Sequence, residues 1–199
     1  TCSAGSRILV QKEIYNEFMT QVAAHFAKVR VGTPDMDLDC GPVMNAKQRN
    51  LVEGFREEAI SSGIELLSEG VFAEGLDQSG FWVKPALFGN VPRDHRLACD
   101  EVFGPVLSAI PFEDELDAIK LANATDYGLV GSVWTKDGNR QQRVAKRMNC
   151  GQVFINNFGA GGGVELPFGG MKKSGHGREK GFVALEHFTT TKTIVHYHE

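Results

Sequence analysis

The sequence has 199 residues, of which 42% are hydrophobic and 23% are charged, and its formal net charge is −4. This composition provides enough apolar side chains for a core and excludes an intrinsically disordered chain. The acidic balance argues against a nucleic-acid partner, and no apolar stretch approaches the roughly 20 residues that cross a membrane.

Strands and helices alternate along the first half of the chain. The apolar segment RILVQ predicts a strand at residues 7–11. Residues 12–29 predict a helix because apolar side chains recur there at steps of three and four, at Ile14, Phe18, Val22, Phe26 and Val29. The pattern further predicts a helix at 46–62 and strands at 64–67 and 81–88.

The second half continues the alternation, with strands predicted at 106–112, 129–135 and 152–156 and helices at 113–123 and 138–148. Strands that are joined by helices pair in parallel with right-handed crossovers. We therefore expect an α/β fold in three layers (αβα) with a mostly parallel sheet.

The carboxy-terminal segment has a different pattern. After a short helix predicted around 179–186, the sequence HFTTTKTIVHYH is rich in Thr and Val, which predicts an extended strand. No helix follows it, so this strand could pair with another chain.

Cys2 is the first candidate for chemistry. Small residues follow it before the first strand, and a tight turn there would expose backbone N–H groups that can bind an oxyanion. From the residues alone, a thiol without any role is the simpler interpretation. The chain begins with Thr-Cys, so we expect it to be part of a longer polypeptide.

The four cysteines are scattered, without a CxxC pair or neighbouring ligand histidines. This spacing predicts no metal site and no disulfide scaffold. Because the first residues do not resemble a secretory signal, we expect a cytoplasmic protein with reduced thiols.

Two further segments attract attention. In DEVFGPV, at 100–106, Glu101 precedes a Gly-Pro turn, where its carboxylate could bind a sugar diol or could belong to an ordinary solvated loop. The glycine-rich segment at 159–181 contains Gly175 and Gly177 in an incomplete dinucleotide fingerprint, and otherwise indicates close backbone packing.

Five motifs occur in order along the chain: TCSAGSRILVQ, DEVFGPV, NATDYGLVGSVWT, GQVFINN and LPFGGMKKSGHGREKG. Together they resemble the carboxy-terminal catalytic portion of the NAD(P)-dependent aldehyde dehydrogenase superfamily. The resemblance implies a catalytic domain at 1–186 and an oligomerisation strand at 187–199, which would join subunits into a homo-oligomer.

The resemblance also implies roles for individual residues. Cys2 matches the catalytic cysteine, whose thiolate attacks an aldehyde and passes through a thiohemiacetal and a thioester. Glu101 matches the glutamate that binds the nicotinamide ribose of NAD or NADP, and Phe103 the aromatic residue beside the nicotinamide. Phe158 and Phe168 match residues that line the aldehyde tunnel, and residues 175–181 match a structural segment.

The family's general-base glutamate, its oxyanion-hole asparagine and its amino-terminal cofactor-binding domain precede the cysteine and are not in this sequence. We therefore expect the 199-residue chain alone to bind NAD poorly and to oxidise little or no aldehyde. Two alternatives stay open: a non-catalytic, self-associating α/β fragment, and a cysteine esterase or acyl-transfer enzyme that would need a histidine beside Cys2.

Overall fold

The structure, a computed structural model, describes residues 1–77, 79–159 and 163–199. The chain divides into two compact units, Thr1–Thr125 and Asp126–Glu199. Residues 160–162 of the glycine-rich segment lie outside the described residues.

The described residues of the first unit form six strands and four helices. The strands are β1 (Arg7–Gln11), β2 (Arg30–Val31), β3 (Glu65–Glu69), β4 (Val71–Phe72), β5 (Ala86–Gly89) and β6 (Val106–Phe112). The helices are α1 (Tyr15–Phe26), α2 (Ala46–Ser61), α3 (Arg96–Cys99) and α4 (Glu115–Asn123), and short 3₁₀ turns lie at Lys12–Ile14 and Pro34–Met36.

Four of these strands form one sheet in the order β1-β6-β5-β3. Both β1 and β5 run parallel to β6, with Arg7 opposite Ser108 and Ala86 opposite Val106. The strands β2 and β4 pair separately, also in parallel. The expected α/β architecture is confirmed, and its main sheet is partly parallel.

Helices cover both faces of the four-stranded sheet. Leu87 and Ala109 point to the face where Tyr15 and Met19 of α1 pack. Their neighbours Phe88 and Ile110 point to the opposite face, because successive side chains in a strand alternate. There they pack with residues of the other helices, including Val52, Phe55, Leu97 and Leu121.

Strand β3 is the antiparallel member of a sheet that was expected to be mostly parallel. It runs antiparallel to β5, with a register shift between Leu66 and Ser68. The described residues between these two strands contain no helix, so the chain is not forced into a parallel crossover. Strand β5 also begins later than predicted, directly after Pro85, which has no N–H to donate to a sheet.

The buried face of α1 agrees only in part with the predicted one, since Val22 and Phe26 pack against the core as expected. Tyr15 and Met19 are buried, whereas Ile14 and Phe18 of the predicted stripe are 51% and 39% exposed. The Tyr15 hydroxyl accepts a hydrogen bond from the Asn90 N–H (2.6 Å) and donates to the Ala109 carbonyl (3.4 Å). These partners allow a tyrosine to occupy the core, which apolar periodicity does not predict.

The second unit contains the remaining elements. Strands β8 (Val130–Val133) and β9 (Gln152–Ile155) are parallel and joined by α5 (Gly138–Arg147), as the alternation predicted. Strand β7 (Tyr127–Gly128) pairs antiparallel with β10 (Met171–Lys172), and α6 comprises Ala184–His187.

The predicted strand at the carboxy terminus is absent from the described structure of the single chain. Residues 189–199 have no regular secondary structure and are exposed throughout. A strand needs a hydrogen-bonding neighbour, and none of the described strands pairs with the segment.

Candidate active site

Cys2 lies on a tight turn at the amino end of the first unit. The Ala4 N–H donates to the Thr1 carbonyl (3.2 Å), which closes the turn around Cys2 and leaves this residue exposed. Ser3, the next residue, is buried. The backbone joins the sheet at Ser6, whose carbonyl accepts from the Ser108 N–H (3.0 Å). The thiol is therefore held just ahead of β1 and is open to an incoming reactant.

Glu101 and Phe103 lie on the loop between α3 and β6. Both side chains are exposed, whereas Val102 between them is buried. Phe103 has φ +52°, the left-handed conformation that costs a residue other than glycine about 1–2 kcal/mol. Such a conformation persists only where surrounding contacts hold it.

Helix α2 supplies those contacts. The side-chain amide of Gln48 donates to the Val102 carbonyl (3.1 Å) and to the Phe103 carbonyl (3.0 Å). One turn further along the helix, Val52 lies so close to Gly104 that a Cβ there would be 2.4 Å from Val52 Cγ2. The loop is thus fixed against α2 at three consecutive residues.

The sheet brings the Cys2 turn and this loop to the same edge. Strands β1 and β6 are neighbours and run in parallel, so their amino ends lie side by side, about 4.8 Å apart. Cys2 precedes β1, while Glu101 and Phe103 precede β6. A thiol, a carboxylate and an aromatic ring therefore come from two adjacent loops of one unit.

The two remaining candidate residues belong to the second unit. Phe158 follows β9, is 43% exposed and has its ring centroid 6.4 Å from that of Phe154. Phe168 is half-buried and exchanges two backbone hydrogen bonds of 2.7 Å with Glu179. The Lys180 ammonium lies 5.7 Å from the Phe168 ring centroid.

Two of the other cysteines are poor nucleophiles. Burial raises the pKa of the Cys40 thiol, and the nearby Asp39 carboxylate raises it further. Burial also raises the pKa of the Cys150 thiol, although a hydrogen bond to Gln152 partly offsets this. Both therefore stay protonated more readily than an ordinary cysteine.

Sequence reasoning missed two residues that hold this edge of the sheet. Arg7 donates from its guanidinium to the Leu121 carbonyl (3.0 Å) and the Ala122 carbonyl (3.1 Å), at the carboxy end of α4. Gln48 was detectable in part, because Asn45 three residues earlier is a typical N-cap and a Gln at this spacing completes a capping box. Its side chain instead reaches the loop at 102–103, which local sequence does not reveal.

Within the described ranges, no three His, Cys, Asp or Glu side chains are grouped so that they could hold a metal ion. The same part of the chain contains no helix that is long and apolar enough to span a membrane.

Comparison with known proteins defines the class. The sequence model of the aldehyde dehydrogenase family matches residues 1–194. The chain therefore belongs to the aldehyde dehydrogenase family, and the resemblance inferred from the five motifs is confirmed.

Individual relatives agree with this class. Betaine aldehyde dehydrogenase of Rhizobium leguminosarum bv. trifolii is 38% identical over 194 residues, which are 97% of this chain and 40% of that protein. The Bacillus subtilis betaine aldehyde dehydrogenase is 39% identical over 195 residues, again 97% and 40% of the two chains. This chain thus spans about 40% of the length of these relatives.

Solved structures also share the fold. An aldehyde dehydrogenase from Burkholderia cenocepacia, so named in its crystal structure, is 55% identical in sequence. Its TM-score is 0.95, over 98% of this chain and 41% of that chain. Betaine aldehyde dehydrogenase from Staphylococcus aureus, in complex with NAD+, is 37% identical with a TM-score of 0.86 and covers 94% and 38% of the two chains.

Proposed function

We propose that this chain is the catalytic segment of an NAD(P)-dependent aldehyde dehydrogenase, which oxidises an aldehyde to a carboxylic acid. The observation that carries the proposal is the parallel pairing of β1 with β6, which sets the exposed Cys2 turn beside the loop of Glu101 and Phe103. Membership of the aldehyde dehydrogenase family supports the assignment of these residues to catalysis and cofactor binding.

In the proposed reaction, the Cys2 sulfur attacks the carbonyl carbon of the aldehyde and forms a thiohemiacetal. The backbone N–H of Cys2 donates to the oxygen that becomes negatively charged. Loss of hydride converts the adduct into a thioester on Cys2, and water releases the carboxylic acid. Phe158 and Phe168 contribute apolar rings to the path of the aldehyde.

The exposed residues of the 100–105 loop fit the nicotinamide end of the cofactor. The Glu101 side chain is exposed, and its carboxylate can accept two hydrogen bonds from a ribose diol. The half-exposed ring of Phe103 offers an apolar surface beside it. When bound, NAD or NADP supplies the hydride acceptor.

The proposal is tested by following NADH and NADPH absorbance with the complete polypeptide that carries this chain and a panel of aldehydes. Cys2→Ser should lower turnover by at least about 10³-fold, because a hydroxyl is a far weaker nucleophile than a thiolate. The matched control Cys40→Ser should retain activity, since the Cys40 thiol is half-buried and protonated.

Residues 1–199 alone should form no NADH from aldehyde. Normal turnover by Cys2→Ser would contradict the role of Cys2 as the nucleophile. Activity of the 199-residue chain alone would contradict the proposal that catalysis needs residues outside it. Ester hydrolysis that needs no nicotinamide would favour a cysteine esterase, but no histidine is hydrogen-bonded to Cys2 in the described structure.

We further propose that residues 187–199 form a strand only when they pair with another subunit of a homo-oligomer. Four apolar side chains of this segment are at least 80% exposed in the single chain, namely Phe188, Ile194, Val195 and Tyr197. Exposure of this kind favours burial against a partner.

A further inference from the structure

The side-chain amide of Gln48 occupies an unusual position for a residue in the first turn of a helix. Its backbone N–H is already satisfied by the Asn45 side chain, the N-cap of α2 (2.9 Å). Its carboxamide nitrogen then bridges the carbonyls of two consecutive loop residues, Val102 and Phe103. One amide group therefore ties the start of α2 to the loop that carries Glu101.

This bridge coincides with the backbone strain of the loop. The two carbonyls belong to the residues on either side of the Val102–Phe103 peptide bond, and the φ of +52° at Phe103 sets their relative direction. Val102 is buried on one side of the bridge, and Gly104 is pressed against Val52 on the other. With its backbone held inward in this way, the loop leaves the side chains of Glu101 and Phe103 exposed.

We propose that Gln48 is a positioning residue for cofactor binding: its amide holds the Val102–Phe103 backbone in the left-handed turn that presents Glu101 and Phe103 to the nicotinamide half of the cofactor. Gln48 acts through the loop carbonyls, not as a catalytic group. The inference rests on the proposed function, because it assigns the loop to NAD or NADP.

Two substitutions separate hydrogen bonding from packing. Gln48→Met keeps the size and helix preference of the side chain but removes the donor. Gln48→Glu keeps the shape but sets a carboxylate against two carbonyl oxygens. If the donor is what matters, Gln48→Glu is the more damaging change, whereas a packing role predicts that it is the milder one. Lys47→Met, at the exposed neighbouring position, is the matched control.

The first measurement is amide hydrogen exchange in the complete polypeptide without cofactor. We expect the segment around Val102–Gly104 to exchange on the order of ten-fold faster in Gln48→Met, and faster still in Gln48→Glu, while Lys47→Met matches the parent protein. Unchanged exchange in both Gln48 variants overturns the proposal.

The second measurement is binding of NADH, which has a nicotinamide ribose, and of AMP, which has none. NADH should bind on the order of ten-fold more weakly to the Gln48 variants, while AMP affinity changes by less than about two-fold. Equal losses for both ligands would indicate general damage to the fold and would overturn the proposal. Failure of the parent protein to bind NADH would contradict the proposed function instead, and the exchange data would still decide whether Gln48 fixes the loop.

Discussion

Gly104 and Gly54 are two glycines of the first unit in opposite environments. An added Cβ at Gly104 would be 2.4 Å from Cγ2 and 3.0 Å from Cγ1 of Val52, a fully buried side chain of α2. A Cβ at Gly54, within α2 itself, would meet nothing within 4 Å. Neither glycine has a positive φ, so steric space alone separates them.

We therefore expect opposite effects from the same substitution. Gly104→Ala should lower the free energy of unfolding by about 2 kcal/mol, because Val52 and the loop must move apart. Gly54→Ala should raise it by up to about 1 kcal/mol, because alanine favours a helix. Urea denaturation of the two variants measures both. The double variant Gly104→Ala/Val52→Ala should lose less free energy of unfolding than the two single variants lose together. Additive losses would show that the two residues do not compete for space.

At the scale of secondary structure, α4 is held at both ends. Asp114 is its N-cap and accepts from the Asp117 N–H (2.9 Å). At the other end Arg7, from the start of β1, donates to the last carbonyls of the helix. Burial lowers the pKa of the Arg7 guanidinium, which nevertheless stays protonated because its ordinary pKa is so high.

Arg7→Lys should destabilise the chain by about 1–2 kcal/mol, because an ammonium lacks the planar fork that reaches two carbonyls at once. Lys12→Met is the control, since Lys12 and Glu113 form an ion pair whose side chains are more than 60% exposed, and such pairs contribute at most about 1 kcal/mol. Chemical denaturation compares the two variants. An Arg7→Lys variant as stable as the parent would mean that one carbonyl contact is sufficient.

Asp117 gives α4 a pH dependence. Its carboxylate forms two 2.7 Å hydrogen bonds with the Arg93 guanidinium and accepts from the Glu113 N–H (3.0 Å). The Arg93 hydrogen bond, followed by that from Glu113, lowers the Asp117 pKa below its ordinary value. The stabilisation is therefore present at neutral pH and is lost as the pH falls below about 4 and through the folded-state pKa.

Asp117→Asn should reduce stability at pH 7 and should make the loss of stability between about pH 5 and pH 2 shallower than in the parent. Thermal unfolding over this pH range measures the slope. Asp126→Asn is a useful comparison, because its partner Lys173 is exposed and lies in the second unit. If the unfolding temperatures of the parent and of Asp117→Asn fall equally with pH, Asp117 does not cause the loss of stability in acid.

Local sequence patterns predict best those helices and strands whose apolar periodicity and capping residues lie within the element itself. Strand β1 matches its predicted bounds, and α2 begins at Ala46 as predicted, behind the Asn45 cap. Helix α5 likewise begins at Gly138, behind the Asp137 cap. The buried face of α1 was predicted only in part, because it depends on contacts with distant parts of the chain, such as that of Tyr15 with Asn90.

The candidate site was harder to predict from local sequence patterns than the helices and strands were. Cys2 and Glu101 each had a simpler interpretation on their own, and only the order of five motifs indicated a shared role. Their placement at one sheet edge follows from the pairing of strands about 100 residues apart. The bridge from Gln48 depends on the same tertiary packing, because its acceptors are backbone atoms that any sequence provides.

At the scale of the whole molecule, apolar burial is uneven. Both clusters of the hydrophobic core consist of residues from the first unit, Thr1–Thr125. The carboxy-terminal segment, by contrast, exposes its apolar side chains and has no regular structure. Removing this segment should therefore leave the core of the first unit intact.

This contrast gives a test of self-association that is independent of catalysis. Deletion of residues 189–199 should abolish oligomer formation in the complete polypeptide, because the deleted segment contains the side chains that would pair with a neighbour. Analytical ultracentrifugation measures the change in mass, and circular dichroism should show unchanged secondary structure. The double substitution Ile194→Asp and Val195→Asp should act like the deletion, since charges would be buried at the contact, whereas Thr190→Ser should have no effect. An oligomer that survives both the deletion and the double substitution would place the interface elsewhere on the protein.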